Sequence, residues 1–207
     1  FNAKVAVVCS ALQSLKFDML NFLPLKGIPG QVSQVDAEQL TLNTILCGSN
    51  YVTPTLDGKL SFGATFRVNS SNLSETQADH IKNLDNLKHS FPGVAQQLTG
   101  TETISGRTSV RCTTQDYTPI AGPVCDARKF NTEFSELSKN KKWRFFKSAP
   151  FLKGLYVNLG HGSRGLTSAP ICAELVAAQI NDEPWPMAKK LAHIVNPNRF
   201  LVKGLTK

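Results

Sequence analysis

The feature that most constrains the fold is a glycine-rich loop between two apolar segments. Residues 155–159 form a short apolar run, which predicts a buried strand. The loop that follows carries glycines in the spacing G-x-G-x-x-G, at Gly160, Gly162 and Gly165. Residues 166–180 are apolar and rich in alanine, which predicts a long helix packed on the core.

The start of this helix determines what the loop can bind. Thr167 or Ser168 is the expected N-cap, and Pro170 is expected in the first helical turn. A helix start presents unpaired backbone N–H groups and a partial positive charge, and glycines allow a ligand to approach the backbone closely. The combination of strand, loop and helix is therefore typical of nucleotide binding.

Two interpretations of the G-x-G-x-x-G pattern remain open. In a Rossmann dinucleotide site, an acidic residue follows on a second strand, and Asp182 and Glu183 stand at about the right distance. However, the segment 181–187 contains two prolines, which disfavour a strand interior. The other interpretation is a glycine-rich turn that precedes a core helix.

The remaining strands and turns indicate a mixed α/β (α+β) fold. The expected strands are a buried strand at 4–9, a strand at 30–35, short strands at 45–47 and 51–54, a strand at 60–66, and a long strand or strand pair at 101–114 in which Gly106 marks a bulge. Asp57-Gly58 predicts a tight hairpin turn before the strand at 60–66, because both residues tolerate positive φ angles.

Three further segments are predicted to be helical. A capping box at 74–77 begins an amphipathic helix that runs to about residue 91, with apolar residues at helical spacing (Ala78, Ile81, Leu84 and Leu87). His80 and His89 on this helix are expected at the surface. Short helices are expected at 131–137 and 188–194.

The formal net charge of +8 favours a polyanionic partner, nucleic acid first. A basic run with interleaved aromatic residues occupies 139–147. It suits phosphate neutralisation and base stacking, but we favour the alternative that it is a solvated segment whose aromatic side chains pack inward.

The spacing of the cysteines and histidines does not indicate a metal site. The five cysteines are widely spaced without a C-x-x-C pair, which indicates reduced thiols in a cytoplasmic protein. The four histidines form no metal-ligand pattern, so no metal is expected. No run of about 18 apolar residues occurs, so no membrane span is expected.

Several separated motifs carry a family resemblance. The sequence contains Gly162-Ser163-Arg164-Gly165-Leu166, Ser168-Ala169-Pro170, Cys172-Ala173-Glu174 and Asn196-Pro197-Asn198-Arg199, and a second block with Arg111, Thr114, Asp116, Pro119, Ile120 and Gly122. These motifs resemble the D-amino-acid-oxidase-like, or glycine-oxidase-like, family of FAD enzymes. Within that family they are most similar to the oxidoreductase domains of bifunctional tRNA-modification proteins.

The resemblance implies FAD as cofactor and a role for particular residues. The expected cofactor-binding residues are Gly160, His161, Gly162, Ser163, Arg164, Gly165 and Leu166. Arg111 is expected to hold a substrate carboxylate through two parallel hydrogen bonds, the alternatives being an arginine paired with Asp116 or one at the surface. Asp116 is expected to stabilise a turn, and no catalytic acid or base is assigned.

The resemblance also implies a domain organisation. Residues 1–25 would end an FAD-binding domain whose first half is absent from the chain, and residues 26–126 would form the substrate-binding sheet domain. Residues 127–153 would be a variable basic connection, and residues 154–207 would return to the FAD domain. We therefore expect the isolated chain to bind FAD poorly.

The implied reaction is the FAD-dependent removal of the carboxymethyl group from carboxymethylaminomethyl-(2-thio)uridine at the wobble position of tRNA, with release of glyoxylate. A methyltransferase domain that uses S-adenosylmethionine would lie elsewhere in the full-length protein. The alternatives are a stand-alone oxidase of glycine-like amino acids and a non-catalytic RNA-binding module.

Overall fold

A computed structural model describes residues 2–68, 72–98 and 104–207. The strands are β1 (Ala6–Val8), β2 (Leu25–Asp36), β3 (Leu46–Cys47), β4 (Tyr51–Val52), β5 (Lys59–Gly63), β6 (Ser105–Thr114), β7 (Ile120–Cys125) and β8 (Phe151–Leu159). The α-helices are α1 (Gln77–Ser90), α2 (Pro92–Gln97), α3 (Ala127–Glu133), α4 (Gly165–Asn181), α5 (Lys189–Val195) and α6 (Arg199–Leu205). The predicted mixed α/β fold is confirmed.

The chain divides into two compact units. Unit 1 comprises Phe1–Gly27 and Cys112–Lys207, and unit 2 comprises Ile28–Arg111. The first three residues of β2 and the last three of β6 belong to unit 1.

Unit 1 contains a three-stranded sheet in the order β1-β8-β7. β1 runs parallel to β8, and β7 runs antiparallel to it. Helix α4 packs against β7 and β8, and its buried residues Cys172, Leu175 and Val176 form a core cluster with Ala121 of β7. The long apolar segment after the glycine loop is therefore a core helix, as its composition predicts.

Strand β1 is shorter and more exposed than the sequence predicts. It covers Ala6–Val8 instead of 4–9, and the side chains of Val5 and Val7 are 38% and 42% exposed. Among the described residues β1 has one strand neighbour, β8, so its residues lie at a sheet edge. The prediction of a buried strand is wrong because β-branched composition does not distinguish an edge strand from a central one.

Unit 2 is built on a five-stranded sheet in the order β3-β4-β5-β2-β6. The predicted hairpin turn is present: Asp57 and Gly58 both have positive φ, and Leu56 and Lys59 exchange two backbone hydrogen bonds. One face of the sheet carries a core cluster with α1 and α2 whose buried residues include Val35, Val52, Leu60, Phe62 and Leu87.

Helix α1 begins later than the capping box predicts and buries a different face. Its N-cap is Thr76, whose side chain accepts from the backbone N–H of Asp79. His80 is 3% exposed and Ile81 is 51% exposed, so the prediction of a surface His80 is wrong, whereas His89 is exposed as expected. Polar partners explain the difference, because the His80 ring lies 2.8 Å from both Ser33 Oγ and Glu75 Oε1.

Three other local predictions from the sequence can be compared with the observed elements. Residues 101–103 of the predicted long strand lie outside the described residues, and β6 begins at Ser105. Gly106 marks a close backbone approach, since a Cβ there would overlap the Val32 carbonyl oxygen. The helix predicted at 131–137 is observed as α3 followed by a 3-10 turn at Ser135–Ser138. The sequence interpretation missed helix α6 entirely.

Candidate functional site

The glycine loop of unit 1 connects the end of β8 to α4 through a 3-10 turn at Gly162–Arg164. Gly160 and Gly162 have φ angles of 73° and 60°, which residues with a side chain rarely adopt. A Cβ at Gly160 would lie 3.0 Å from Thr114 Cγ2. The backbone path therefore requires both glycines, and close packing adds to this requirement at Gly160.

Helix α4 begins without a side-chain cap in the part of the chain that the structure describes. It starts at Gly165, its N-cap position is Arg164, and no side chain caps it. Pro170 is the sixth residue of the helix, so the predicted cap at Thr167 or Ser168 and the predicted first-turn Pro170 are wrong. The 3-10 turn runs directly into the helix and moves the N-cap three to four residues earlier than predicted. Because the first turn has no acidic residue, its positive end can interact with an electron-rich ligand.

His161 is held in place within this loop. Its Nδ1 lies 2.9 Å from Ser168 Oγ, and its Nε2 lies 2.9 Å from Asn158 Oδ1. The Asn158 Nδ2 group donates to the carbonyl of Ala169, which leaves Oδ1 to accept from the imidazole. Burial lowers the pKa of His161. His161 therefore ties the loop to the first turns of α4.

The other loop residues face solvent. Ser163, Arg164 and Leu166 are exposed, and Leu166 is 98% exposed. The Arg164 carbonyl accepts from Ser168, whereas its guanidinium has no ion pair within the described part of the chain. The segment predicted to bind a cofactor is thus an exposed loop that leads into the start of α4.

Asp116 stabilises the turn between β6 and β7. Its Oδ1 accepts from Thr114 Oγ1 at 2.8 Å and from the Thr118 N–H at 3.1 Å, and Arg199 donates to both carboxylate oxygens. Burial alone would raise the pKa of Asp116, but hydrogen bonds from Arg199, Thr114 and Thr118 and the charge of Arg199 lower it to about 2. The arginine that pairs with Asp116 is Arg199, so the alternative that Arg111 pairs with Asp116 is excluded.

Arg111, in unit 2, has no acidic partner among the described residues. Its Nη1 donates to the Thr65 carbonyl at 3.4 Å, and its guanidinium carbon lies 4.4 Å from the centroid of the Phe66 ring. Burial lowers the pKa of Arg111, and the nearby Tyr51 opposes that shift. Gly30 makes room for this side chain, because a Cβ there would overlap Arg111 Nη1. The guanidinium retains donors that can bind a carboxylate.

The sequence interpretation missed the neighbours of Arg111. Gly30, Tyr51, Thr65 and Phe66 approach it from other strands and connections. The one available signal was the glycine-rich start of the β2 segment, which is typical of a close approach to the backbone.

A buried polar network in unit 2 was also missed. Ser33 Oγ lies 2.8 Å from His80 Nδ1 and accepts from Asn83, while His80 Nε2 contacts Glu75. A serine, a histidine and a glutamate thus lie in contact, but Ser33 is 0% exposed and His80 is 3% exposed. A buried serine cannot reach a substrate, so this network is structural.

The basic segment 139–147 is only partly packed inward. Phe145 packs on Phe134 at a centroid distance of 4.5 Å, and Lys147 pairs with Glu133. Trp143 is 50% exposed, and Phe146 is fully exposed. The favoured interpretation, in which all the aromatic side chains pack inward, is therefore wrong for these two residues.

The described residues contain neither a metal-binding cluster nor a helix able to span a membrane. No group of three or more histidine, cysteine, aspartate or glutamate side chains in residues 2–68, 72–98 and 104–207 is arranged to hold a metal ion. No helix in the same ranges is both long and apolar enough to cross a bilayer.

Comparison with known proteins identifies the family. The family described as FAD dependent oxidoreductase (DAO) matches residues 1–179, which is more than half of the chain. The chain belongs to the FAD-dependent oxidoreductase family. The predicted D-amino-acid-oxidase-like resemblance is thereby confirmed.

Curated relatives are 37–38% identical to this chain over the aligned residues. It is 37% identical over 211 residues to the tRNA 5-methylaminomethyl-2-thiouridine biosynthesis bifunctional protein MnmC of Stutzerimonas stutzeri, covering 99% of the chain. It is 38% identical over 206 residues to the protein of the same name from Methylobacillus flagellatus, covering 98% of the chain. The chain spans about a third of the length of these relatives.

Solved structures show the same fold at low sequence identity. Glycine oxidase from Geobacillus kaustophilus aligns over 96% of this chain and 46% of its own, with a TM-score of 0.69 and 19% identity. Iminodiacetate oxidase from Chelativorans sp. BNC1 aligns over 93% and 46%, with the same TM-score and identity.

The residues of unit 1 fit an FAD contact. The positive-φ glycines Gly160 and Gly162 lead into the start of α4, where no described side chain caps the backbone N–H groups. Such groups favour an electron-rich ligand atom. In the family to which the chain belongs, FAD is the cofactor that supplies such atoms.

Proposed function

We propose that this chain belongs to an oxidoreductase that removes the carboxymethyl group from carboxymethylaminomethyl-(2-thio)uridine at the wobble position of tRNA. The overall conversion yields the aminomethyl nucleoside and glyoxylate. The proposal is supported by 37–38% identity to the MnmC proteins over at least 98% of the chain. Their name describes synthesis of 5-methylaminomethyl-2-thiouridine in tRNA.

The observation that carries the proposal is the unpaired, half-buried guanidinium of Arg111. Burying a charge without a counter-charge is unfavourable, so such a site gains free energy when an anion binds. The carboxymethylamino group ends in a carboxylate, and a guanidinium binds a carboxylate through two parallel hydrogen bonds. Arg111 would therefore fix both the position and the orientation of the reacting substituent.

Unit 1 would provide contacts to the cofactor. Gly160, His161, Gly162, Ser163, Arg164, Gly165 and Leu166 are the residues proposed to contact FAD, which when bound supplies a two-electron acceptor. The N–H groups at the start of α4 would stabilise negative charge on the ligand. His161 would hold the loop in place through its hydrogen bonds to Ser168 and Asn158. On this proposal, residues of unit 1 contact the cofactor and residues of unit 2 contact the substrate.

The full-length protein would contain two further parts. We propose that the remainder includes the first half of the FAD domain and a methyltransferase domain that uses S-adenosylmethionine, because the chain covers about a third of its relatives. The net charge of +8 would favour binding of the tRNA substrate. In the basic segment, the exposed Trp143 and Phe146 are suited to base stacking. A cytoplasmic location follows from a tRNA substrate.

The competing function is oxidation of free glycine-like amino acids. Arg111 would bind the carboxylate of such a substrate equally well. The experiment is to incubate the full-length protein with tRNA that carries carboxymethylaminomethyl-uridine and, separately, with glycine or sarcosine. We expect conversion of the tRNA nucleoside, read by mass spectrometry of digested tRNA, and little conversion of the free amino acids. Preferential oxidation of the amino acids would establish the competing function. Binding of tRNA without oxidation of either substrate would favour the RNA-binding module.

A further inference from the structure

Unit 2 contains a groove that the proposed carboxylate contact does not use. The groove has a volume of about 780 Å³. Its polar lining includes Gln34 of β2, Tyr51 of β4, Ser61 and Lys59 of β5, and Arg107 of β6. Gln34 Nε2 donates to Ser61 Oγ at 2.8 Å, which orients both side chains on this face.

The groove is positively charged. Lys59 and Arg107 contribute two cations, and Asp57 is the one acidic residue among the described residues that line it. Neither cation forms a salt bridge within the described residues. Arg107 is exposed, so its guanidinium is available to a ligand that enters from solvent. This charge favours an anion as part of the ligand.

The groove lies on the same side of β6 as the proposed carboxylate contact. Arg107 and Arg111 are four residues apart on the strand, so alternation places them on one face, with their Cα atoms about 13 Å apart. Tyr51 connects the two positions, because it lines the groove and also lies close enough to Arg111 to act on its charge. A ligand held by both arginines would therefore carry two anionic groups at its two ends.

We infer that this groove binds the nucleotide that carries the carboxylate substituent, with Arg107 and Lys59 contacting its phosphate and Tyr51 contacting its base or ribose. The inference rests on the proposed function, since it takes the carboxylate to be at Arg111. It explains how the site would accept a nucleotide, whereas a free glycine-like amino acid would leave the groove unused. Specificity for the larger substrate then resides in unit 2.

The test uses the full-length protein and two small substrates. They are carboxymethylaminomethyl-uridine as the free nucleoside and as its 3′,5′-bisphosphate. Arg107→Gln is compared with the wild type and with Lys82→Gln, which removes a cation from the exposed face of α1. Initial rates give KM and kcat for each substrate, and calorimetric titration with uridine 3′,5′-bisphosphate measures phosphate binding without turnover.

We expect Arg107→Gln to raise KM for the bisphosphate about tenfold, the effect of one lost charge-assisted hydrogen bond, and to leave KM for the nucleoside and both kcat values unchanged. Arg107→Lys should restore part of the loss, and Lys82→Gln should match the wild type. The calorimetric affinity for uridine 3′,5′-bisphosphate should fall by the same factor in Arg107→Gln.

Two results would overturn the inference. Equal changes in KM for nucleoside and bisphosphate, or no change for either, would show that Arg107 does not contact phosphate although the proposed function holds. If the wild type oxidised neither compound nor modified tRNA, the proposed function would fail and the inference with it.

Discussion

The guanidinium carbon of Arg111 lies 4.4 Å from the centroid of the Phe66 ring. The aromatic face attracts the cation and limits its orientation, while the Thr65 carbonyl accepts one of its N–H groups. Since 54% of the Phe66 residue is exposed, the ring contributes little to the core. Phe66 is therefore a positioning residue for the proposed carboxylate contact.

Replacing this ring should weaken binding with little effect on stability. We expect Phe66→Leu to raise the KM for the carboxylate substrate about two- to fivefold, because a cation–π contact contributes about 0.5–1 kcal/mol at such a site. Phe66→Tyr keeps the ring and serves as the matched control. Initial-rate kinetics on the full-length protein measure the effect. A KM for Phe66→Leu equal to that of the wild type would exclude the positioning role.

Gly30 should tolerate no side chain. A Cβ at this position would overlap both Arg111 Nη1 and the Thr65 carbonyl oxygen, and the carbonyl belongs to the backbone and cannot move freely. We expect Gly30→Ala to lower the free energy of unfolding by about 1–3 kcal/mol and to reduce carboxylate binding. Gly93→Ala is the control, since a Cβ there meets nothing within 4 Å. Denaturant titration that showed equal stability for the two variants would contradict the steric argument.

The sequence predicted the parts of the site that depend on local pattern. The glycine loop, the core helix after it, the Asp57-Gly58 turn and the turn at Asp116 follow from glycine spacing, apolar composition and turn chemistry over a few residues. Arg111 was identified as a candidate from its motif. The sequence did not show that Asp116 pairs with Arg199 instead of Arg111, because Arg199 is 83 residues away from Asp116.

The missed features depend on long-range contacts. His80 is buried because Ser33 and Glu75 provide polar partners for both ring nitrogens, and helical spacing alone cannot report such partners. Phe66 and Gly30 approach Arg111 from distant parts of the sequence. The start of α4 was misplaced because the 3-10 turn at Gly162–Arg164 already supplies the first turn.

Asp116 should make stability depend on pH in the acid range. Its folded pKa of about 2 lies below the ordinary aspartate value, so its stabilising effect is fully present above about pH 4 and is lost as the pH falls towards 2. We expect Asp116→Asn to melt at a lower temperature than the wild type at pH 7, and the difference to shrink between pH 4 and pH 2.

Thermal unfolding monitored by circular dichroism across this range measures the effect. Asp85→Asn, on the exposed side of α1, removes one carboxylate without an ion pair in the described residues and is the control. A difference in melting temperature between wild type and Asp116→Asn that stayed constant from pH 7 to pH 2 would argue against the Arg199–Asp116 interaction as its source.

The basic segment should contribute to tRNA affinity through phosphate contacts. Lys141 and Lys142 are exposed and lie beside the half-exposed Trp143. We expect the double substitution of Lys141 and Lys142 to glutamine to reduce the slope of log affinity against log salt by roughly 1–2, since each phosphate contact contributes about 0.7–0.9. Filter binding at several salt concentrations measures the slope.

The matched control for charge is the double substitution of Lys82 and Lys88 to glutamine. Both lysines are exposed on α1. It removes the same number of cations from another surface and should leave the slope close to that of the wild type. If both double variants changed the slope equally, net charge alone would account for tRNA binding, and the basic segment would have no specific role.

The most direct test of the account asks whether Arg111 recognises a carboxylate. Glycolate and its uncharged analogue glycolamide are titrated into the full-length protein, and binding is followed by the change in flavin absorbance. We expect the wild type to prefer glycolate about 100-fold, as a charge-assisted bidentate contact allows, Arg111→Gln to reduce that preference to below about fivefold, and Arg107→Gln to retain it. An undiminished preference for glycolate in Arg111→Gln would contradict the central claim.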